Sequence, residues 1–180
     1  MRQALLGLLL VLAGCAMLTG APSLNDAQQV VAALKFPGSG APTDLTVAGS
    51  FDRPDGDYRT GAPIAITVTA SHPASIAVLR VLHSGQTTIV FPNRTQPDAR
   101  AADGTIHVTI PAGPEGTQLF EFLAAADGAA WVFSRKPGDG AEYADLGSTT
   151  RAIVTALQTA FKGAAHGTVD VSHKAIKVSD

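Results

Sequence analysis

The sequence predicts a mainly β fold, an immunoglobulin-like antiparallel β-sandwich with flanking N- and C-terminal helices. Three observations predict it. From about residue 44 the apolar residues recur at every second position, as in "IAITVTA" (64–70), which is the period of a half-buried strand. The alternating runs are short, regularly spaced and parted by Gly/Pro turns such as "RPDGDYRTGAP" and "PAGPEG". Nowhere does the chain show the strand–helix alternation that builds a parallel sheet.

The chain begins with Arg2 as a lone positive charge and an apolar run from Ala4 to Ala13. As a helix that run would reach roughly 15 Å, about half a bilayer core, so it is too short to span and fits a signal-peptide core instead. Leu12, Ala13, Gly14 and Cys15 follow, and Cys15 is the one cysteine of the 180 residues. The segment resembles the lipobox of bacterial lipoproteins. The resemblance implies that the Cys15 thiol is diacylglycerylated, that the chain is cut between Gly14 and Cys15, and that the new amino terminus is acylated. Each buried methylene of such an anchor contributes about 0.8 kcal/mol, and two or more acyl chains hold stably. Ala16 and Met17, where an aspartate would favour inner-membrane retention, imply the outer membrane. The domains read as a lipoprotein signal peptide (1–14), a lipidated tether (15–24), an N-terminal helix and linker (25–42) and a β-sandwich domain with a C-terminal helix and strand (43–180). With no second cysteine, the mature domain must fold without a disulfide and needs a sufficient core of its own. About 46% of the 180 residues are apolar, which is enough to build one.

Asn25 or Asp26 caps a helix running to Lys35, with Val30, Val31 and Leu34 on one stripe. "FPGSGAPT" ends it. "DLTVAGSF" then alternates, with Leu45, Val47 and Gly49 on one face. In 64–70, Ile64, Ile66 and Val68 face inward. The run 75–85 is apolar on both faces, which predicts a central strand, and Ser84-Gly85-Gln86 turns it into 87–91 as a hairpin. Further strands are expected at 105–110, 118–126 and 129–134. A second helix is capped by Ser148 or Thr149, carries Ile153, Val154, Leu157 and Phe161 on one stripe, and has Gly163 at its C′ position. The closing "GTVDVSHKAIKV" alternates weakly and reads as a strand at an edge.

The stretch "YRTGAPIAITVTASHPASIAVLRVLHSGQTTIVFPN" resembles the core of the bacterial domain of unknown function 4384, and "IPAGPEGTQLFEFLAA" resembles that family's proline-glycine segment before a strand. The resemblance covers roughly residues 50 to 135. It implies a compact sheet domain of envelope and secreted proteins and no assigned reaction. Backbone physics alone accounts for part of the pattern. Gly85 permits a tight hairpin, Phe91 packs inward where Pro92 stops the ladder, and Asn93 can bond nearby backbone.

Charge and motifs narrow the function. Thirteen basic and 15 acidic residues, a net charge of −2, give no broad basic field for nucleic acid. The five histidines, His72, His83, His107, His166 and His173, have no metal-ligand spacing, although His83 and His107 could meet across a sheet. Asp52, Asp55 and Asp57 around Gly56 lack the order of a calcium loop and read as a turn. Neighbours on a strand point to opposite faces, so Ser84 and His83 make a poor nucleophile–base pair, and Ser134 stands in no nucleophile elbow. Glu115, Glu121 and Glu142 are too dispersed for a glycosidase pair. No residue receives a catalytic or metal-binding role, and no cofactor is implied. Trp131, Phe133 and Arg135 are the candidate binding residues, because Trp and Arg are enriched at interface hot spots and Trp131 and Phe133 would share a strand face. Core packing competes with that reading.

The sequence therefore points to a non-enzymatic, lipid-anchored interaction module. It would stand on the periplasmic face of the outer membrane, with the membrane and an envelope protein as partners. A glycan- or small-molecule-binding lipoprotein, taking its ligand near the Trp131 strand or the 94–104 loop, is the alternative, and a hydrolase the third reading.

Overall fold

Asn25 starts the first helix, α1 (Asp26–Ala32), through a capping box: its side chain accepts from the Gln28 N–H, and Gln28 Oε1 accepts from the Asn25 N–H. The computed structural model describes residues 22–35, 45–126, 132, 135–148, 150–162 and 168–180. The expected signal peptide and Cys15, the "FPGSGAPT" break and the Gly163 cap all lie outside the described residues. The helix ends at Ala32, before Lys35. Val31 is buried while Val30 is exposed, so the predicted stripe is narrower than expected. The fully buried Gln28 takes the remaining inward position, and its Nε2 donates to the carbonyls of Val81 and Thr117. A buried amide is stable there because its polar atoms are used.

Among the described residues ten strands and a further helix follow: β1 (Val47–Phe51), β2 (Asp57–Arg59), β3 (Pro63–Ala70), β4 (Ala74–Val81), β5 (Thr87–Phe91), β6 (Arg100–Ala101), β7 (Thr105–Pro111), β8 (Gly116–Ala125), β9 (Ala144–Gly147), α2 (Thr150–Ala160) and β10 (Val169–Ser179). They form a small sheet in the order β1-β3-β7 and a larger one in the order β2-β10-β8-β4-β5-β9, with β6 beside β4. Mainly β is therefore correct. Antiparallel needs correction, since β2 runs parallel to β10, Tyr58 standing opposite Val178. What β2 brings is the Tyr58 ring, which is 1% exposed.

Alternation explains how the layers form. Ile64, Ile66 and Val68 of β3 and Ile106, Val108 and Ile110 of β7 meet Ile76, Val78, Phe120, Phe122 and Ile176 of the larger sheet in one core. The predicted face of β3 is thus the buried one. The larger sheet is apolar on its other face too. There Ala77, Leu79, Ile89 and Leu123 pack beneath Ile153 and Leu157 of α2 and Phe161 just after it, while Leu119 and Val81 pack with Val31 of α1. β4 is central for this reason: it lies between β8 and β5 with both faces covered. The β4–β5 turn forms as expected, with Gly85 at φ +85° and its N–H donating to the Leu82 carbonyl over 2.9 Å. Phe91 is buried, and Asn93 donates to the Val90 carbonyl and accepts from the Gln96 N–H.

Two more expectations are corrected. The C-terminal strand is not an edge: β10 pairs with β8 from Val169 to Val178 and carries β2 on its other side. Its alternation is weak because only Ile176 and Val178 near its end reach the main core. The strand expected over 129–134 is also contradicted, at the single position within it that is described. Val132, its one described residue, is helical, fully buried and packed with the α2 cluster. A short apolar run of this kind does not distinguish strand from helix by periodicity.

Candidate functional site

Most polar side chains that sequence reasoning singled out are used in turns. Tyr58 Oη donates to Asp52 Oδ1 over 2.7 Å, and the same oxygen accepts from the Ala65 N–H. That hydrogen bond holds the Asp52 carboxyl below its ordinary pKa, while burial first and Asp52 second push the Tyr58 phenol up to about 12. Asp55 Oδ1 accepts from the Asp57 N–H. The "DRPDGDY" carboxylates thus brace a turn around Gly56. His83 and His107 do not meet. His83 follows β4 in the larger sheet and lies 3.4 Å from Asn25 Nδ2, whereas His107 sits on β7 of the small sheet, 3.1 Å from Thr67 Oγ1. Ser84 Oγ accepts from the Gln86 N–H within the hairpin turn. Of the three candidate binding residues, Arg135 is exposed, and Trp131 and Phe133 lie outside the described residues, as does Ser134.

The structure gathers a different set. β8, β4 and β5 are neighbours, and on the face they turn to the small sheet stand Gln118, Arg80 and Thr88. Arg80 is directly opposite Thr88, and Gln118 lies two residues along from Phe120, the β8 partner of Arg80. Arg80 has the same parity as Ile76 and Val78, so the pleat alone sends its guanidinium inward. Arg80 keeps 9% of its surface exposed and Gln118 keeps 1%. The β7–β8 connection closes over both. Arg80 Nη1 donates to the Pro111 carbonyl over 3.2 Å, and Gln118 Nε2 donates to the Pro114 carbonyl over 2.8 Å. The guanidinium lies over the half-buried Tyr143 ring, 5.9 Å from its centroid.

The cluster's chemistry is unbalanced. Arg80 Nε, Thr88 Oγ1 and Gln118 Oε1 are buried and have no hydrogen-bond partner in the protein. Among the described residues no carboxylate pairs with Arg80. Burial lowers its pKa and only Tyr143 acts against that. The nearby carboxylate of Glu142 is engaged elsewhere, accepting from Thr95 N and Oγ1. A buried guanidinium without a counter-charge is costly. The sequence held a signal for it, an arginine in the middle of an apolar central strand, but adjacency to Gln118 and Thr88 exists only in the fold. On the opposite face, beneath the helices, Glu121 is likewise buried, with Oε1 unpartnered and its carboxyl pushed up to about 8 by burial.

The class is thus a two-sheet β domain with helices over one face and a buried, uncompensated arginine at one end of its core. Residues 57–136 match the family model described as Domain of unknown function (DUF4384), which covers β2 through β8 with Arg80, Thr88 and Gln118. The resemblance carried by the "FPN" and "IPAGPEG" stretches is borne out over that segment. No curated protein and no solved structure matches the chain.

Proposed function

We propose that this chain is a lipid-anchored, non-enzymatic interaction module of a bacterial cell envelope, standing on the periplasmic face of the outer membrane and binding an envelope protein. The observation that carries the reading is Cys15, placed after the ten-residue apolar run Ala4 to Ala13 and Gly14. The tether is short. From Cys15 to the Asn25 cap the chain reaches at most roughly 33 Å when extended, so α1 and the sheet end it caps would stay close to the bilayer. The finer fold reading is an immunoglobulin-like sandwich, supported by the small sheet laid over the β10-β8-β4 part of the larger one, with α1 and α2 as its flanking helices. In a sandwich of this kind the strand edges and loops are what a partner would meet.

In cells fed labelled palmitate, the Cys15→Ser variant should lose all lipid label and leave the membrane fraction. Equal labelling of variant and wild type would remove the anchor. A second reading, a small-ligand-binding lipoprotein, is favoured by one observation, the unpaired buried Arg80.

A further inference from the structure

We propose that Arg80, Thr88 and Gln118 form a binding site for the carboxylate of a peptide. The donor inventory carries the inference. A guanidinium has five N–H groups. Here one Nη1 donor is spent on the Pro111 carbonyl, and the group lies 5.9 Å from the Tyr143 ring centroid. What is left is the Nε–Nη2 edge, two parallel N–H donors in the plane of the group. Such a fork matches the two oxygens of a carboxylate. Nε has no partner in the protein, so binding there breaks no existing hydrogen bond. Thr88 stands opposite Arg80 on β5 and supplies a third donor through Oγ1.

Gln118 decides between anions. Its Nε2 is held by Pro114, which turns Oε1, an acceptor, into the same buried face. An acceptor beside three donors is left unused by a bare carboxylate such as acetate. It suits a group carrying both a carboxylate and an N–H. A peptide end has that composition, with the carboxylate on Arg80 and the last amide N–H on Gln118. Tyr143 and Thr88 are the half-buried members of the cluster, so a peptide would enter on their side. The inference rests on the interaction-module reading only for where the peptide comes from; the chemistry of the site is independent of the anchor.

The test uses the full chain in detergent micelles, with the Arg80 Nε–H resonance observed by NMR. The probes are acetyl-trialanine with a free carboxylate, its C-terminal amide, acetate and inorganic phosphate. The free-acid peptide should shift the resonance saturably in the millimolar range, acetate and phosphate should bind more weakly, and the amide should not bind. Arg80→Lys should bind about tenfold more weakly, because a point charge replaces the fork. Arg80→Met should fold with undiminished stability and lose the whole peptide-induced rise in Tm. If Arg80→Met does not fold, the wild-type resonance still decides. Amide binding equal to the free acid, acetate as tight as the peptide, phosphate tighter than either, or no saturable shift would each overturn the proposal. The Cys15→Ser variant should bind the peptide like wild type, so failure of the anchor and failure of this site give different results.

Discussion

Gly49→Val should cost this domain about 3 kcal/mol or more, the upper end of what overpacking does to a core. A methyl group at Gly49 would overlap Cε2, Cζ and Cδ2 of Phe122. Gly49 lies on β1 of the small sheet and Phe122 on β8 of the larger one, so the missing side chain is what lets the two sheets close on the ring. The ring has little room to move. Phe51 lies 6.1 Å from it, centroid to centroid, and is itself packed edge-on against Phe120 at 5.1 Å. Urea unfolding should show a lower midpoint with an unchanged slope. Phe122→Leu in the Gly49→Ala background should cost less than Phe122→Leu alone, because one change makes the space that the other fills. Independent, additive losses would mean the sheets do not meet there.

The second large effect is a pH dependence set by Glu121. Its carboxyl faces the helix-covered side of β8, with Leu79 beside it on β4, and Leu119 and Leu123 two residues either way belong to the clusters beneath α1 and α2. His173 stands opposite on β10 but is exposed. Burial pushes the folded carboxyl from its ordinary 4.5 up to about 8. The sign follows from proton binding. Between these values the unfolded chain has lost its proton while the folded chain keeps it, so stability falls as pH rises, by about 1.4 kcal/mol per unit. Below 4.5 both states are protonated and nothing is lost; above about 8 both are ionised and the full loss remains. Glu121→Gln removes the titration. It should match wild type near the lower limit and exceed it by several kcal/mol near the upper one, on the order of 4–5 kcal/mol for the whole window. Urea unfolding across that range measures the difference. A wild-type-to-variant gap that does not change with pH would contradict the burial of this charge.

How far the sequence could be read depended on whether a segment's structure came from its own pattern. β3 was legible because Ile64, Ile66 and Val68 alternate with small polar residues, and β4 because Ile76 to Val81 is apolar on both faces. α2 was legible from Ile153 and Leu157 within it and Phe161 directly after it, all buried. β2, β6 and β9 are two to four residues long, too short to show a period, and exist because a longer strand stands beside them. β10 looked marginal because "SHKA" interrupts its apolar residues, yet β8 supplies a partner along nearly its whole length. The candidate site was hidden for a related reason. Arg80 and Glu121 were visible as charges in apolar runs, but a sequence cannot say whether such a charge finds a counter-ion. Only the register that places Thr88 opposite Arg80, and the loop that engages Pro111 and Pro114, reveals which donors stay unused.

The intact mass of the protein extracted by detergent from the envelope bears most directly on the account as a whole. The account predicts a chain that starts at Cys15 and carries a diacylglyceryl group and an amino-terminal acyl chain. An unmodified polypeptide still beginning at Met1, recovered from the soluble fraction, would contradict it.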